Sequence, residues 1–272
     1  MTGGRALRRL GSGVLTGGGL ALCLLPAPSV AQGLESRVRA AEGDVSFGFP
    51  IRDGIEVCEN RVSWGEGHMR WGRWSDREEP ELCSEGLARA VLAVRDGRIR
   101  DVDWEPWLGE GAGQGSWTDL GRVGAREATD LFLGVARSGR DRGSRDALAG
   151  AAMTDGVEIW PELLAIGRDS SLDEDVREGA VFWVGQAAAE AATEGLEGLA
   201  RDDQEDQGVR DAAVFALSRR PAGESVPILM DLARTAERAE TRKTALFWLA
   251  QSDDARVLPF FEDILLGRAG GR

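Results

Sequence analysis

A short sequence pattern recurs four times in the second half of the chain at a nearly constant spacing. The clearest copy is Val176–Gln186, and related copies begin at Ser144, Val209 and Thr241. Successive copies therefore start 32 or 33 residues apart. A fixed period of this length is typical of stacked repeats, in which each unit buries its apolar surface against its neighbours. The pattern predicts an α-solenoid, which we place at residues 119–267.

The apolar positions inside each copy have helical spacing. Positions +4, +7 and +8 from the first residue are apolar or small, as expected for one face of an α-helix. Position +5 is apolar as well, and position +6 is Phe182, Phe215 or Phe247 in the last three copies. An apolar surface this wide predicts a helix that is covered on more than one side. We expect nine helical segments between residues 121 and 266.

Arginine occupies position +1 in every copy, as Arg145, Arg177, Arg210 and Arg242. A cation in the first turn of a helix is disfavoured by about 0.3–1 kcal/mol because the helix dipole is positive there. Four arginines in that place therefore predict a fixed partner. We expect a carboxylate or carbonyl of the preceding inter-helix turn, forming a ladder that registers neighbouring repeats. An anion-binding row is the alternative.

The chain before the repeats has the alternation of β-strands. Residues 43–107 predict a small antiparallel β domain, and the fold class is therefore α+β. The strongest hairpin signal is Asp96-Gly97 between two apolar runs, of which the first, Leu87–Val94, is apolar on both faces and predicts a central strand. Residues 108–118 are rich in glycine and predict a flexible linker.

Residues 1–31 have the features of a secretory signal peptide. Arg5, Arg8 and Arg9 precede a short apolar run, and cleavage is expected after Ala31. A lipoprotein signal at Cys23 is the less favoured alternative. No later apolar run approaches about 20 residues, so no membrane insertion is expected after cleavage. The sequence predicts a periplasmic or secreted protein.

Export would leave the cysteines Cys58 and Cys83, and two thiols in an oxidising compartment usually pair. We expect a structural disulfide that ties the small β domain together. A reactive or metal-binding pair is the alternative. Zinc sites need four ligands, and His68 is the one histidine of the chain.

Charge and residue types limit the classes of function. Without the signal peptide, 30 basic residues stand against 46 acidic ones, and a negative surface disfavours nucleic acid. Catalytic serine or cysteine arrangements would have to use His68, and no Gly-x-Ser-x-Gly motif is present. We expect no catalytic residues, no cofactor and no metal.

Six of the nine tryptophans lie between residues 64 and 117. Trp64, Trp71 and Trp74 form a candidate ligand surface, because tryptophans can stack on sugars. The alternative, which we favour, is that these large aromatic side chains supply core area to a small sheet.

The repeats that begin at Val176, Val209 and Thr241, together with the following stretch Ser252–Glu262, resemble HEAT-like repeats in the short form of phycobilisome-lyase-type HEAT proteins. The resemblance covers about residues 120–266. The chain has no tyrosine, which the pattern of tetratricopeptide repeats requires, and no Thr-Pro-Leu-His box, which is typical of ankyrin repeats. With its leader and cysteines, it is similar to exported bacterial HEAT-repeat proteins.

The resemblance implies a non-catalytic scaffold or adaptor of the bacterial envelope or exterior that binds a protein partner. Lyase chemistry is not implied, because no tetrapyrrole-attachment motif is present. The alternative is a glycan-binding or carbohydrate-active protein that uses the tryptophans of the β domain.

Overall fold

The computed structural model describes residues 33–41, 43–59, 61–64, 69–72, 82–110, 115–138, 142–186 and 190–268. The predicted signal peptide, with Cys23, lies outside these residues. The α+β fold class is confirmed, because strands occupy the first part of the described chain and helices the second. Within the described residues, no helix combines the length and apolar character needed to cross a membrane.

The first sheet has the strand order β7-β6-β1-β8. Strands β1 (Gly43–Pro50), β6 (Leu87–Arg95) and β7 (Arg98–Pro106) are antiparallel, whereas β8 (Trp117–Arg122) runs parallel to β1. The predicted hairpin is confirmed: β6 and β7 are joined by Asp96 and Gly97, which have φ angles of 54° and 66°. Two successive positive φ values are those of a type I′ turn, the turn that Asp-Gly favours. Strand β6 is central, as its apolar faces predicted.

The second sheet has the order β4-β3-β2-β5 and is antiparallel throughout. Its strands are β2 (Ile55–Cys58), β3 (Arg61–Trp64), β4 (Met69–Gly72) and β5 (Cys83–Glu85). Cys58 and Cys83 lie opposite one another in this sheet, and the predicted disulfide between them is confirmed, with an S–S distance of 2.04 Å. Glu56 lies beside the two sulfur atoms. Because both sulfurs are bonded to each other, they offer no thiolates to a metal.

Ten α-helices lie in the described residues. A short helix, α1 (Leu34–Ala40), precedes the first strand and buries Leu34 and Val38. The other nine correspond to the nine predicted segments, with ends that differ by a few residues: α2 (Ala125–Ser138), α3 (Arg142–Met153), α4 (Trp160–Arg168), α5 (Glu174–Val184), α6 (Glu190–Arg201), α7 (Gln207–Ser218), α8 (Ala222–Thr235), α9 (Ala239–Ala250) and α10 (Val257–Leu265).

The helices form two layers. Helices α3, α5, α7 and α9, which carry the four copies of the pattern, pack in a row, and α4, α6 and α8 form a second row. The helices of the first row pack more closely against one another than those of the second. We therefore name the first row the inner layer and the second the outer layer. Close packing requires small residues, and Ala180, Ala213 and Ala245 at position +4 are fully buried.

The first sheet packs directly on the first helices. Phe47 and Phe49 of β1 contact Phe132 of α2, with ring centroids 5.8 and 5.2 Å apart. Trp104 of β7 lies 5.5 Å from the Phe132 ring. Gly150 of α3 allows this approach, because a Cβ atom there would overlap the Trp104 indole. Strands and helices consequently share one apolar core.

The segment predicted as linker 108–118 differs from the expectation. Its last residues, Trp117 and Thr118, begin β8, which continues to Arg122 and thus occupies the predicted start of the solenoid. Trp107 lies against Gly48 on the face of the sheet that points away from the helices. The glycine-rich composition suggested flexibility, whereas the tryptophans at both ends pack on the sheet.

Candidate functional site

Six aromatic rings form a continuous row along the inner layer, which we name the aromatic strip. It runs from the second sheet to the last inner helix in the order Trp64, Trp183, Phe182, Phe215, Trp248 and Phe247. Successive ring centroids are 5.7, 5.1, 6.1, 4.9 and 5.0 Å apart. These distances lie in the range of favourable aromatic pairs.

The repeat produces the strip. Phe182, Phe215 and Phe247 share position +6, so the same face of successive inner helices carries a ring. The sequence predicted that this face is covered. Instead, Phe182 and Phe215 are only half-buried, and 56% of Phe247 is exposed. The stacked helices cover positions +4 and +8, and position +5 in all copies except the last, where Leu246 is half-buried. They leave position +6 partly at the surface, where a contiguous apolar patch is typical of an interaction site.

Two acidic residues, which we name the acidic row, lie one helical turn before Phe182 and Phe215. Glu178 precedes Phe182 by four residues and Asp211 precedes Phe215 by four, so each carboxylate lies on the same helix face as a ring. Asp211 accepts hydrogen bonds from Gln207 Nε2 at 2.9 Å and from Thr244 Oγ1 at 2.8 Å. Burial raises the pKa of Glu178, and the like charges of nearby carboxylates, Glu174 among them, raise it further. The row is therefore a concentrated negative charge.

A cleft of about 560 Å³ opens at the first end of the strip. Trp64 and Trp183 belong to both, and Trp160 at the start of α4 lines the cleft as well. The turn between α3 and α4 contributes Asp155 and Glu158. This volume lies in the range of small-molecule pockets.

Arg52 fixes the wall of this cleft. Its Nε donates to the Ala152 carbonyl at 2.9 Å and its Nη2 to the Val157 carbonyl at 2.6 Å. Both acceptors lie at or just after the end of α3, so the arginine ties the β1–β2 connection to the α3–α4 turn. Trp160 Nε1 donates to Glu158 Oε1 at 2.5 Å, which holds the indole and the carboxylate side by side.

The four predicted ladder arginines bind different partners. Arg177 is 1% exposed, donates from Nε to the Gly167 carbonyl at 3.1 Å, and forms ion pairs with Glu205 and with Asp206, the latter at 2.6 Å. Gly167 lies at the end of α4, whereas the two acids lie in the turn before α7. Arg177 thus joins its own repeat to the next one.

Arg210 and Arg242 bind backbone carbonyls of the turns that precede their helices. Arg210 Nη1 donates to the carbonyls of Asp202 and Glu205, and Arg242 Nη1 donates to those of Ala236 and Glu237, at 2.6 and 2.8 Å. Arg145 is half-exposed and lies 3.5 Å from an oxygen of Asp175 in the next repeat. The cost of a cation in the first turn is offset by these acceptors.

Of the predicted ligand surface, the structure describes the side chain of Trp64, which stacks on Trp183. The side chains of Trp71 and Trp74 lie outside the described residues, and so does His68. The structure therefore joins Trp64 to tryptophans of the repeats that the sequence did not group with it. The sequence contained part of the signal for this grouping, because Trp183 and Trp248 share position +7 of the repeat.

Sequence reasoning missed the buried charge of the first sheet. Arg89 in β6 is fully buried, lies 4.7 Å from the centroid of the Trp107 ring and 5.8 Å from that of Trp117, and pairs with Asp119 at 3.3 Å. Its Nη2 donates to the Gly109 carbonyl at 2.7 Å. Arg89 thus holds the residues on either side of positions 111–114 against the sheet. It belongs to the structural frame and not to the strip.

Comparison with known proteins agrees with this architecture. Residues 161–250 match the family model described as HEAT repeats. The matched segment runs from α4 to α9 and contains the three clearest copies of the pattern as well as five of the six rings of the aromatic strip. No curated protein matches the chain. The chain therefore carries HEAT repeats over residues 161–250, and such repeats commonly mediate contacts between proteins.

Proposed function

We propose that this chain is a non-catalytic protein-binding scaffold that acts outside the cytoplasm, and that the aromatic strip is its docking surface. The observation that carries the proposal is the continuity of the six rings, of which Trp183 is buried, four are half-buried and Phe247 is exposed. Aromatic side chains are enriched at the centres of protein interfaces, where they bury a large area at a low entropic cost.

The surroundings of the strip suggest the chemistry of the partner. The acidic row of Glu178 and Asp211 lies one helical turn before Phe182 and Phe215, whereas Lys243 takes the equivalent place before Phe247. Burial raises the pKa of Glu178. A partner segment that places apolar side chains on the rings and lysine or arginine beside the carboxylates would relieve the repulsion between them. Complementary charge of this kind selects partners and speeds association.

The site of action rests on the sequence of residues 1–31. A basic start, a short apolar run and small residues before Gln32 support export, and the Cys58–Cys83 disulfide suits an oxidising compartment. The finer relationship to exported, phycobilisome-lyase-type HEAT proteins is part of the same proposal. A non-catalytic role agrees with the single histidine and the lack of a nucleophile motif in the sequence.

Glycan binding by Trp64, Trp71 and Trp74 is the alternative function. Trp64 has one ring face stacked on Trp183, so a sugar could use only its other face. We therefore favour a protein partner.

Affinity capture with point variants of the full chain tests the scaffold. The sheet and the helices share a core, so deletion of either part would not be a clean experiment. Phe247→Ser should lose a partner protein that the unchanged chain captures from the native compartment, and Phe215→Leu, which removes a ring but keeps apolar volume, should weaken its capture. Leu258→Ser is the matched control, since Leu258 is 68% exposed on α10 and lies off the strip.

Thermal melting of each variant separates a binding defect from misfolding. Equal recovery of every partner by Phe247→Ser and Leu258→Ser, with unchanged melting, would show that the strip is not the docking surface.

A further inference from the structure

The cleft at the first end of the strip combines aromatic rings with an excess of negative charge. Three indoles line it, from Trp64, Trp160 and Trp183. Its charged side chains are Asp155 and Glu158 on one hand and Arg52 on the other. Two carboxylates against one guanidinium leave a net negative charge in a site with indole walls.

We infer that this cleft binds a lysine or arginine side chain of the protein partner. The inference rests on the proposed function, because the cleft shares Trp64 and Trp183 with the aromatic strip. A segment lying along the strip reaches the cleft at its end and can insert one side chain there. The cleft thereby sets the register of the bound segment. The strip alone cannot do so, because its rings repeat from one helix to the next.

A cation suits the chemistry of the walls. The face of an indole carries negative electrostatic potential and attracts ammonium and guanidinium groups. Tryptophan does so more strongly than the other aromatic side chains. The Glu158 carboxylate is held beside the Trp160 indole by the hydrogen bond to Nε1, so ring and charge act on the same ligand. The hydrogen bond uses the N–H at the edge of the Trp160 indole, so the faces of the ring can still stack on a ligand.

The two remaining charges divide into one that is engaged and one that is available. Arg52 donates hydrogen bonds from Nε and Nη2 to backbone carbonyls, and these bonds hold its side chain in the wall of the cleft. Asp155 is exposed, and among the described residues its carboxylate has no hydrogen bond or ion pair. An incoming ammonium or guanidinium group would find a free acceptor there. An anion or a neutral apolar group would bring no opposite charge to either carboxylate.

Titration with small probes tests this inference without the partner. The chain is labelled with ¹⁵N-tryptophan, and the indole N–H signals are followed while Nα-acetyl-lysine methylamide or Nα-acetyl-arginine methylamide is added. A Trp160→Phe variant assigns the Trp160 signal. We expect saturable shifts of Trp160 and Trp183 with either cation, and smaller or no shifts with the neutral isostere Nα-acetyl-norleucine methylamide.

Charge variants sharpen the experiment. Asp155→Asn with Glu158→Gln should weaken binding of the lysine probe roughly two- to fivefold, the loss expected for exposed charge contacts. The control is Glu240→Gln with Asp253→Asn, which makes the same change in net charge at two exposed acids away from the cleft. Dispersion of the remaining indole signals shows that each variant is folded.

Three results would overturn the inference: no shift of Trp160 or Trp183 with either cation, equal shifts with norleucine, or shifts with a neutral oligosaccharide instead. The last would favour the glycan alternative. Cation binding with no partner lost by Phe247→Ser would leave the cleft as a cation site and reject the docking surface. The reverse would reject the cleft alone.

Discussion

The molecule uses aromatic side chains in two ways, and the contrast separates its frame from its candidate interface. Where the first sheet meets the helices, Phe47, Phe49, Trp104 and Phe132 pack with one another and form what we name the sheet cluster. Both phenylalanines of β1 and Phe132 are fully buried. The six rings of the aromatic strip contact one another at similar distances, yet Phe182 and Phe215 are half-buried and Phe247 is mostly exposed.

The difference teaches that ring contacts alone do not identify a core. The sheet cluster is covered by two layers, a strand on one side and α2 and α3 on the other. The strip is supported from beneath by the inner layer and has no element of the described chain over Phe247. Loss of a ring should therefore cost stability in the cluster and partner binding in the strip.

The largest expected effect is a loss of stability in the sheet cluster, and it tests the contrast between the cluster and the strip most directly. Phe132→Ala should lower the free energy of unfolding by about 3–5 kcal/mol, because it removes a buried ring and leaves a cavity. Phe247→Ala should lower it by less than about 1 kcal/mol, since the side chain already contacts solvent. Urea denaturation of both variants measures the difference. Equal losses would mean that the strip is part of the core.

A buried charge should matter nearly as much as a buried ring. Arg177→Met should destabilise the chain by about 3 kcal/mol, because it leaves Glu205, whose side chain is 9% exposed, without its ion-pair partner and the Gly167 carbonyl without the Arg177 donor. Arg145→Met is the matched control, with an expected loss of about 0–1 kcal/mol, because that ion pair is exposed.

Chemical denaturation of this pair of variants also addresses the anion-binding alternative. Unchanged stability of Arg177→Met with loss of a bound partner would favour a binding role for the arginine row over a structural one.

The disulfide extends the contrast to the second sheet, whose Trp64 begins the strip. Cys58→Ala with Cys83→Ala should cost about 3 kcal/mol, the loop-closure value for a sequence separation of 25. Loosening of this sheet should also change the packing of Trp64 on Trp183. Denaturation measures the first effect, and the indole signal of Trp183 reports the second. A Trp183 signal that stays in place would show that the strip holds Trp64 independently of the disulfide.

The smallest expected effect concerns the acidic row. Burial and like charges raise the pKa of Glu178 above its ordinary 4.5, so the ionised carboxylate opposes folding at neutral pH. This penalty is absent below the ordinary pKa and develops as the pH rises through the raised pKa. Glu178→Gln should therefore raise the Tm slightly at pH 7 and leave it nearly unchanged at pH 4. A Tm increase of the same size at both pH values would contradict the charge explanation.

Sequence reasoning succeeded where a signal is repeated or local. Four copies of one pattern predicted the helices, and Asp96-Gly97 predicted the β6–β7 hairpin. The chemistry of those features is contained in neighbouring residues, so periodicity and turn type are sufficient.

The features that were missed depend on residues distant in the chain. Arg89 belongs to no repeated pattern. Its partners Trp107, Trp117 and Asp119 lie in or beside a stretch whose glycines indicated a linker. The phenylalanines at position +6 were identified as apolar, but the repeat spacing does not state which apolar positions the neighbouring helices leave uncovered. Trp64 and Trp183 lie 119 positions apart and meet only after the second sheet has packed on α5.

Site-specific photo-cross-linking tests the central claim, that the aromatic strip is a protein-docking surface. A photoreactive phenylalanine analogue is placed at position 247 on the strip, or at position 258 on α10, in the full chain in the cells that express it. We predict a discrete protein adduct from position 247 that is absent from position 258 and is reduced when Phe215 is also changed to Leu. Identical adducts from both positions, or no protein adduct from position 247, would contradict the account.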